Sequence, residues 1–258
     1  MRSQVLRFTD WTSPVPPVER EVLSALPEPA GDNPPVLFVP GLAHGAWAFA
    51  EHWLAHTASR GYPAWSVSPR ANGSLRAYVH DVVQVAAGLP RQAVLVGHGA
   101  GALVVAHALA RYPARAAVLA APVPAGWSAL GAALQANPFG TLPALVGAAP
   151  RLSRRQLFSA DLPGAEDYRA KLVRTPAKVY RQMLFASPPA APVGDPPVLV
   201  VGSPDDRVVP RQALDRTAGR FGGAPLLFPG MAHDLMLDTD WREPIDAILD
   251  WLTKELAA

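Results

Sequence analysis

The chain has 258 residues, half of them hydrophobic and 17% charged, with 29 prolines, 20 glycines and no cysteine. So much apolar side chain with so little charge excludes a disordered protein. The missing thiols exclude a disulfide scaffold, a thiolate nucleophile, a zinc-thiolate site and an iron-sulfur cluster. A net charge of +2, with 20 of 23 basic residues arginine, gives no nucleic-acid footprint.

At the start, Met1 to Trp11 returns to polar residues before an apolar run can form, so no secretory signal is read and a cytoplasmic location is expected. Short aliphatic runs then recur at Val36–Val39, Ala64–Val67, Ala93–Val96, Ala117–Ala120, Val198–Val201 and Leu226–Phe228. They are apolar without alternation, as strands buried on both faces of a parallel sheet are. Helical patterns separate most of them, at Trp47–Ser59, Leu75–Ala87, Ala100–Arg111, Arg211–Phe221 and Pro244–Leu256. Alternating strand and helix predicts an α/β fold with right-handed crossovers around a mostly parallel central sheet.

Between Ala121 and Pro197 the rhythm stops. A structureless loop of that length is improbable in a compact domain, so residues 121–197 are read as a helical cap and return linker. Residues 1–120 and 198–258 then form the core. No formal charge lies between Arg115 and Arg151, yet Pro122, Pro124, Pro138, Pro143 and Pro150 cut that stretch below the ~20 residues of a membrane span. Leu152 to Met183 reads as two helices and is basic. Arg151, Arg154, Arg155, Arg169, Lys171, Arg174, Lys178 and Arg181 face only Asp161, Glu166 and Asp167. That is either a solvated helix face or a surface for an anionic group, coenzyme A or an acidic carrier protein.

The chemistry concentrates in four loops. Ala93-Val-Leu-Val-Gly97-His98-Gly99-Ala100-Gly101 runs from a buried strand through a small-residue turn into a helix. In that context it resembles the nucleophile elbow, G-x-S-x-G, of the α/β-hydrolase superfamily. Gly97 and Gly101 match the flanking glycines, and position 99, where the family places serine, is glycine. Val39-Pro-Gly-Leu42-Ala-His44-Gly-Ala-Trp47 resembles the family's oxyanion loop. Asp205-Asp206-Arg-Val-Val-Pro210 resembles the acid loop, with Asp206 the better match and Asp205 the reserve. Pro229-Gly-Met-Ala-His233-Asp234 resembles the histidine loop. The pattern is similar to small bacterial α/β-hydrolases, and His44-Gly-Ala-Trp47 is also similar to the hydroxynitrile lyase and methylesterase branch.

The resemblance implies His233 as base, Asp206 as its orienter, and the backbone amides of Leu42 and Ala100 as oxyanion donors. His44, His98 and Trp127 are the candidate substrate contacts, and no metal or cofactor is implied. Losing the nucleophile of a triad typically costs ~10⁶-fold in kcat, so Gly99 excludes an ordinary acyl-enzyme route. Ser74, Ser128 and Ser203 lie in loops near the same sheet edge but on no elbow. Asp234 and Asp238 read as solvent-facing or helix-capping.

Three readings follow. One is a non-hydrolytic enzyme performing cyclisation, elimination, isomerisation or carbon-carbon bond formation on an apolar, polyketide-like or aromatic small molecule. Another is an ester or acyl hydrolase in which His233 activates water directly or a native serine was replaced by Gly99. The last is a non-catalytic binder. Neither nucleic acid nor membrane is an expected partner.

Overall fold

The computed structural model describes residues 12–124, 131, 138–139, 152–173 and 175–257. Seven strands form one sheet: β1 (Val22–Ala25), β2 (Val36–Val39), β3 (Ala64–Val67), β4 (Val94–His98), β5 (Ala116–Ala120), β6 (Val198–Gly202) and β7 (Leu226–Leu227). Their order is β1-β3-β2-β4-β5-β6-β7, and every pairing is parallel except that of β1 with β3. The expected mostly parallel α/β sheet is therefore present. The antiparallel edge strand β1 was not anticipated; its residues are only half covered, so they do not read as a fully apolar run.

Why the inner strands are mostly apolar on both faces is visible in their packing. Val36, Phe38, Val94 and Val96 point to one face of the sheet, and Leu37, Val39 and Leu95 to the other. The first face is covered by α1 (Trp47–Ala50), α2 (Trp53–Ser59) and α9 (Arg242–Ala257). The second is covered by α3 (Leu75–Gly88) and α4 (Ala100–Ala108). The single helix expected over Trp47–Ser59 is broken, because His52 leaves helical geometry at φ −139°.

Between β5 and β6, which pair directly, the described residues from 152 onward form α5 (Arg154–Leu157), α6 (Ala165–Lys171) and α7 (Ala177–Leu184), where two helices were expected over Leu152–Met183. They dock on the core: Leu157, Phe158, Leu162 and Ala165 join one apolar cluster, and Val179 and Met183 the other. After β6 comes α8 (Arg211–Arg220). Among the described residues no helix is long and apolar enough to cross a membrane.

Candidate active site

The turn from β4 to α4 brings backbones closer than side chains permit. A Cβ on Gly97 would lie 2.6 Å from Ala102 Cα, and one on Gly101 would lie 2.3 Å from the Val39 carbonyl oxygen. Glycine is required at both positions because no rotamer change relieves a backbone overlap. Gly99 between them has φ +55° and ψ −119°, a conformation that costs a side-chain-bearing residue ~1–3 kcal/mol. Its N–H donates to the Ala120 carbonyl at 2.9 Å, and its carbonyl accepts from Ala102 and Val123, which fixes the turn.

His233 comes to this turn from the loop after β7. A Cβ at position 99 would lie 3.1 Å from His233 Nε2 and 3.9 Å from Gly41 Cα. On the far side of the ring, His233 Nδ1 lies 2.8 Å from Asp206 Oδ2. Asp206 Oδ1 accepts from the N–H groups of Val208 (2.6 Å) and Val209 (3.0 Å). The carboxylate is thus pinned by two amides and accepts the Nδ1–H hydrogen bond, which leaves the Nε2 lone pair directed at residue 99. Burial by itself would lower the affinity of His233 for a proton. The charge and hydrogen bond of Asp206, with Asp234 beyond, outweigh burial and raise its pKa above 6.5. Asp205 instead accepts from the Gly230 N–H at 2.7 Å, so the contact with the histidine falls to Asp206.

Against the other side of the elbow sits the loop after β2. Gly41 touches it closely: a Cβ there would lie 3.4 Å from the His98 carbonyl oxygen and 3.9 Å from the Ala100 nitrogen. Neither the Leu42 nor the Ala100 N–H has an acceptor among the described residues, which leaves both free for an incoming oxygen. Ala100 opens α4, where the first N–H groups have no acceptor within the helix.

His44 and His98 are both buried. His44 places Nδ1 3.1 Å from the Leu42 carbonyl oxygen and Nε2 2.9 Å from Asp234 Oδ2. His98 Nε2 donates to the His233 carbonyl at 3.0 Å, so its Nδ1 carries a lone pair, buried without a hydrogen-bond partner beside Gly41. Burial, then the charge of His233, pushes the His98 pKa down to about 4, and the ring is neutral. Trp127 lies outside the described residues, as does Ser128. Ser74 caps α3 by accepting from the Ala77 N–H, and Ser203 accepts from Asp205 N, so both hydroxyls serve local turns.

Sequence reasoning missed Asp234. It is 1% exposed, between His44 and His98, where a solvent-facing or capping role was expected. Asp238 is also buried, accepting from Ser159 and the Ala232 N–H. His98, His233 and Asp234 bring three potential ligand atoms within 4.8 Å of one another. His98 Nε2 is directed at a carbonyl, Asp234 Oδ2 at His44 and His233 Nδ1 at Asp206, while His98 Nδ1 and Asp234 Oδ1 are buried without a hydrogen-bond partner among the described residues.

Of the basic cap residues, Arg154 and Arg169 approach Glu166, and Lys171 pairs with Glu51 of the core at 3.0 Å. Lys171 also lies over the rings of Trp47 and Tyr168, tying α6 to α1. Arg151 and Arg174 lie outside the described residues. A groove of about 440 Å³ runs between α4, α8 and the loop after β5, and none of the candidate site residues lines it.

Residues 36–250 match the sequence model of the alpha/beta hydrolase family. The chain belongs to that family. A search of curated protein sequences returned no match. Similar solved structures include the monoacylglycerol lipase of Paleococcus ferrophilus, with 16% identity and a TM-score of 0.68 over 92% of this chain and 100% of that one. An esterase from Rhodococcus sp. ECU1013 has 19% identity and a TM-score of 0.66 over 92% and 96% of the two chains. A bromoperoxidase from Bacillus anthracis has 17% identity and a TM-score of 0.65 over 91% and 94%. At such identities the likeness is one of fold. This α/β hydrolase shares the sheet, and its own residues must supply the argument for chemistry.

Proposed function

We propose that this α/β-hydrolase-fold protein is an enzyme without a covalent nucleophile, in which His233, oriented by Asp206, moves a proton on a bound apolar small molecule. One observation carries the reading. The basic Nε2 of a buried, carboxylate-oriented histidine faces a residue that is glycine, 3.1 Å from where a side chain would begin. No hydroxyl is available there to become an acyl-enzyme, while the two unengaged amides, Leu42 and Ala100, remain beside it. The supported step is abstraction of a proton from a substrate carbon or hydroxyl by His233 Nε2. The negative charge then gathers on a carbonyl oxygen held by the two amides, and the imidazolium returns the proton elsewhere on the same molecule. Cyclisation, elimination, isomerisation and carbon-carbon bond formation all fit this step, because none needs a bond to the protein.

The lipase and esterase among the similar structures favour a second reading, in which His233 deprotonates a water that attacks an ester directly. Two measurements separate the readings. In D2O, wild-type protein offered apolar β-diketones should catalyse deuterium incorporation, and His233→Ala should lose at least ~10²-fold of that rate, the usual worth of a positioned base. Steady release of p-nitrophenol from activated esters without such exchange would favour water activation. A burst of p-nitrophenol, or labelling of the wild type by a fluorophosphonate, would reveal a covalent intermediate and refute the proposal. Gly99→Ser should create a labelled serine; a folded but unlabelled variant would show that residue 99 does not face the base.

A further inference from the structure

The loop that offers the Leu42 amide is braced by a second imidazole-carboxylate pair far from it in sequence. His44 and Asp234 are separated by 190 residues, and their side chains are 3% and 0% exposed. Both nitrogens of His44 face oxygen: the carbonyl of Leu42 and the carboxylate of Asp234. A carbonyl and an ionised carboxylate only accept, whereas a neutral imidazole has one N–H and one lone pair. Satisfying both contacts requires a proton on each nitrogen, which makes His44 a buried imidazolium paired with Asp234. The same pairing would be unfavourable with either partner removed, because the remaining charge would stay buried.

The peptide unit joining Leu42 and Ala43 is gripped at both ends. Its carbonyl accepts from His44 Nδ1, and its N–H donates to Thr175 Oγ1 of the cap at 2.8 Å. Ala43 follows with φ +69°, a left-handed conformation that a non-glycine residue keeps only when its surroundings hold it there. The Ala43 carbonyl in turn accepts from the Val173 N–H at 2.9 Å.

We infer that Asp234, by keeping His44 doubly protonated, is a positioning residue that locks the Leu42–Ala43 peptide and so sets the direction of the adjacent Leu42 N–H. This rests on the proposed role of that N–H as an oxyanion donor. The groups facing His44 are Asp234, the Leu42 carbonyl, the Trp47 ring, the neutral His98 ring 6.1 Å away, and His233, whose charge opposes its protonation. Burial alone would strip the proton; the charge and hydrogen bond of Asp234, helped by the Leu42 carbonyl, reverse that and raise the His44 pKa. The Asp234 carboxyl, which burial would raise, is brought below its ordinary value chiefly by the charge and hydrogen bond of His44.

The test reads the ring directly. With ¹⁵N-histidine labelling and His44→Gln to assign its signals, wild-type His44 should show two protonated nitrogens at pH 6.5, where a free imidazole is about half protonated. Asp234→Asn should make the ring predominantly neutral at that pH. In a Gly99→Ser background, Asp234→Asn should slow fluorophosphonate labelling by roughly tenfold or more, below the ~10²–10³-fold typical of deleting an oxyanion donor outright. A neutral wild-type His44, or an Asp234→Asn ring that stays protonated, overturns the inference. So does an unchanged labelling rate once the ring is neutral. Should Asp234→Asn fail to fold, the wild-type ring still decides. Should Gly99→Ser never label, the failure belongs to the elbow reading, and the charge state of His44 is judged by the ring alone.

Discussion

Substituting the elbow glycine by alanine isolates the backbone from the chemistry. Gly99→Ala adds a Cβ at φ +55°, ψ −119°, with an expected cost of ~1–3 kcal/mol. The new atom would lie 3.1 Å from His233 Nε2, a contact relieved only if the ring shifts by a few tenths of an ångström. Asp206 resists that shift through its 2.8 Å contact with Nδ1, so the sum should fall in the upper part of the range. For a chain of this size, each kcal/mol lowers Tm by roughly 2–4 °C, which gives a fall of roughly 4–12 °C. Two other glycines calibrate the scale. Gly101→Ala puts a Cβ within 2.4 Å of two backbone oxygens, of Val39 and Pro40, and should cost more than ~4 kcal/mol or prevent folding. Gly88, at the end of α3, has open space around it, and Gly88→Ala should be neutral or stabilise by ~0.4–1 kcal/mol. Differential scanning calorimetry of the three variants gives the ranking. If Gly99→Ala proved as stable as Gly88→Ala, the positive φ at residue 99, and with it the elbow, would be wrong.

Stability should depend on pH with opposing signs around the histidine cluster. His98 has a folded pKa of about 4 against ~6.5 unfolded, so it contributes stability that is complete above pH 6.5 and lost as pH falls toward 4, about 3 kcal/mol at full extent. His44 and His233, whose folded pKa values are raised, contribute stability that is complete below ~6.5 and lost as pH rises through those values. Urea midpoints of wild type and His98→Gln across pH 4–8 should converge at the acidic end, and parallel curves would contradict the assignment. Asp81 is a buried carboxylate shared by Arg20 and Arg70, and Asp81→Asn should cost about 3 kcal/mol by leaving two partly buried guanidiniums short of a counter-charge. Equal urea midpoints would show that the cluster is solvated. Thr175→Val should slow fluorophosphonate labelling of Gly99→Ser without changing the protonation of His44; unchanged labelling would show that the cap does not hold the oxyanion loop.

The strands most legible in the sequence were the inner ones, whose residues are mostly buried, and the short edge strand β7 was read from its aliphatic pair. Val36–Val39 and Ala64–Val67 were read to the residue: the first has no polar member, and the second has only the small Ser66 among apolar neighbours. β1 escaped because an edge strand with half-covered residues lacks that signature. At the site, the glycines, His233 and Asp206 were recognisable because loop chemistry is local in sequence. Asp234 and Thr175 were not, since their significance lies in partners 190 and 132 residues away. A buried aspartate next to a loop histidine looks like any polar loop residue until the fold supplies its counter-ion.

The Ala43 N–H donates to Thr175 and the Ala43 carbonyl accepts from Val173, so the segment between β5 and β6 is not an interchangeable module. Replacing the segment between β5 and β6 would remove two of the contacts that hold Ala43 in its left-handed turn. Chimeras that retain residues 173–175 should therefore tolerate new sequences between β5 and β6 better than those replacing the whole of 121–197.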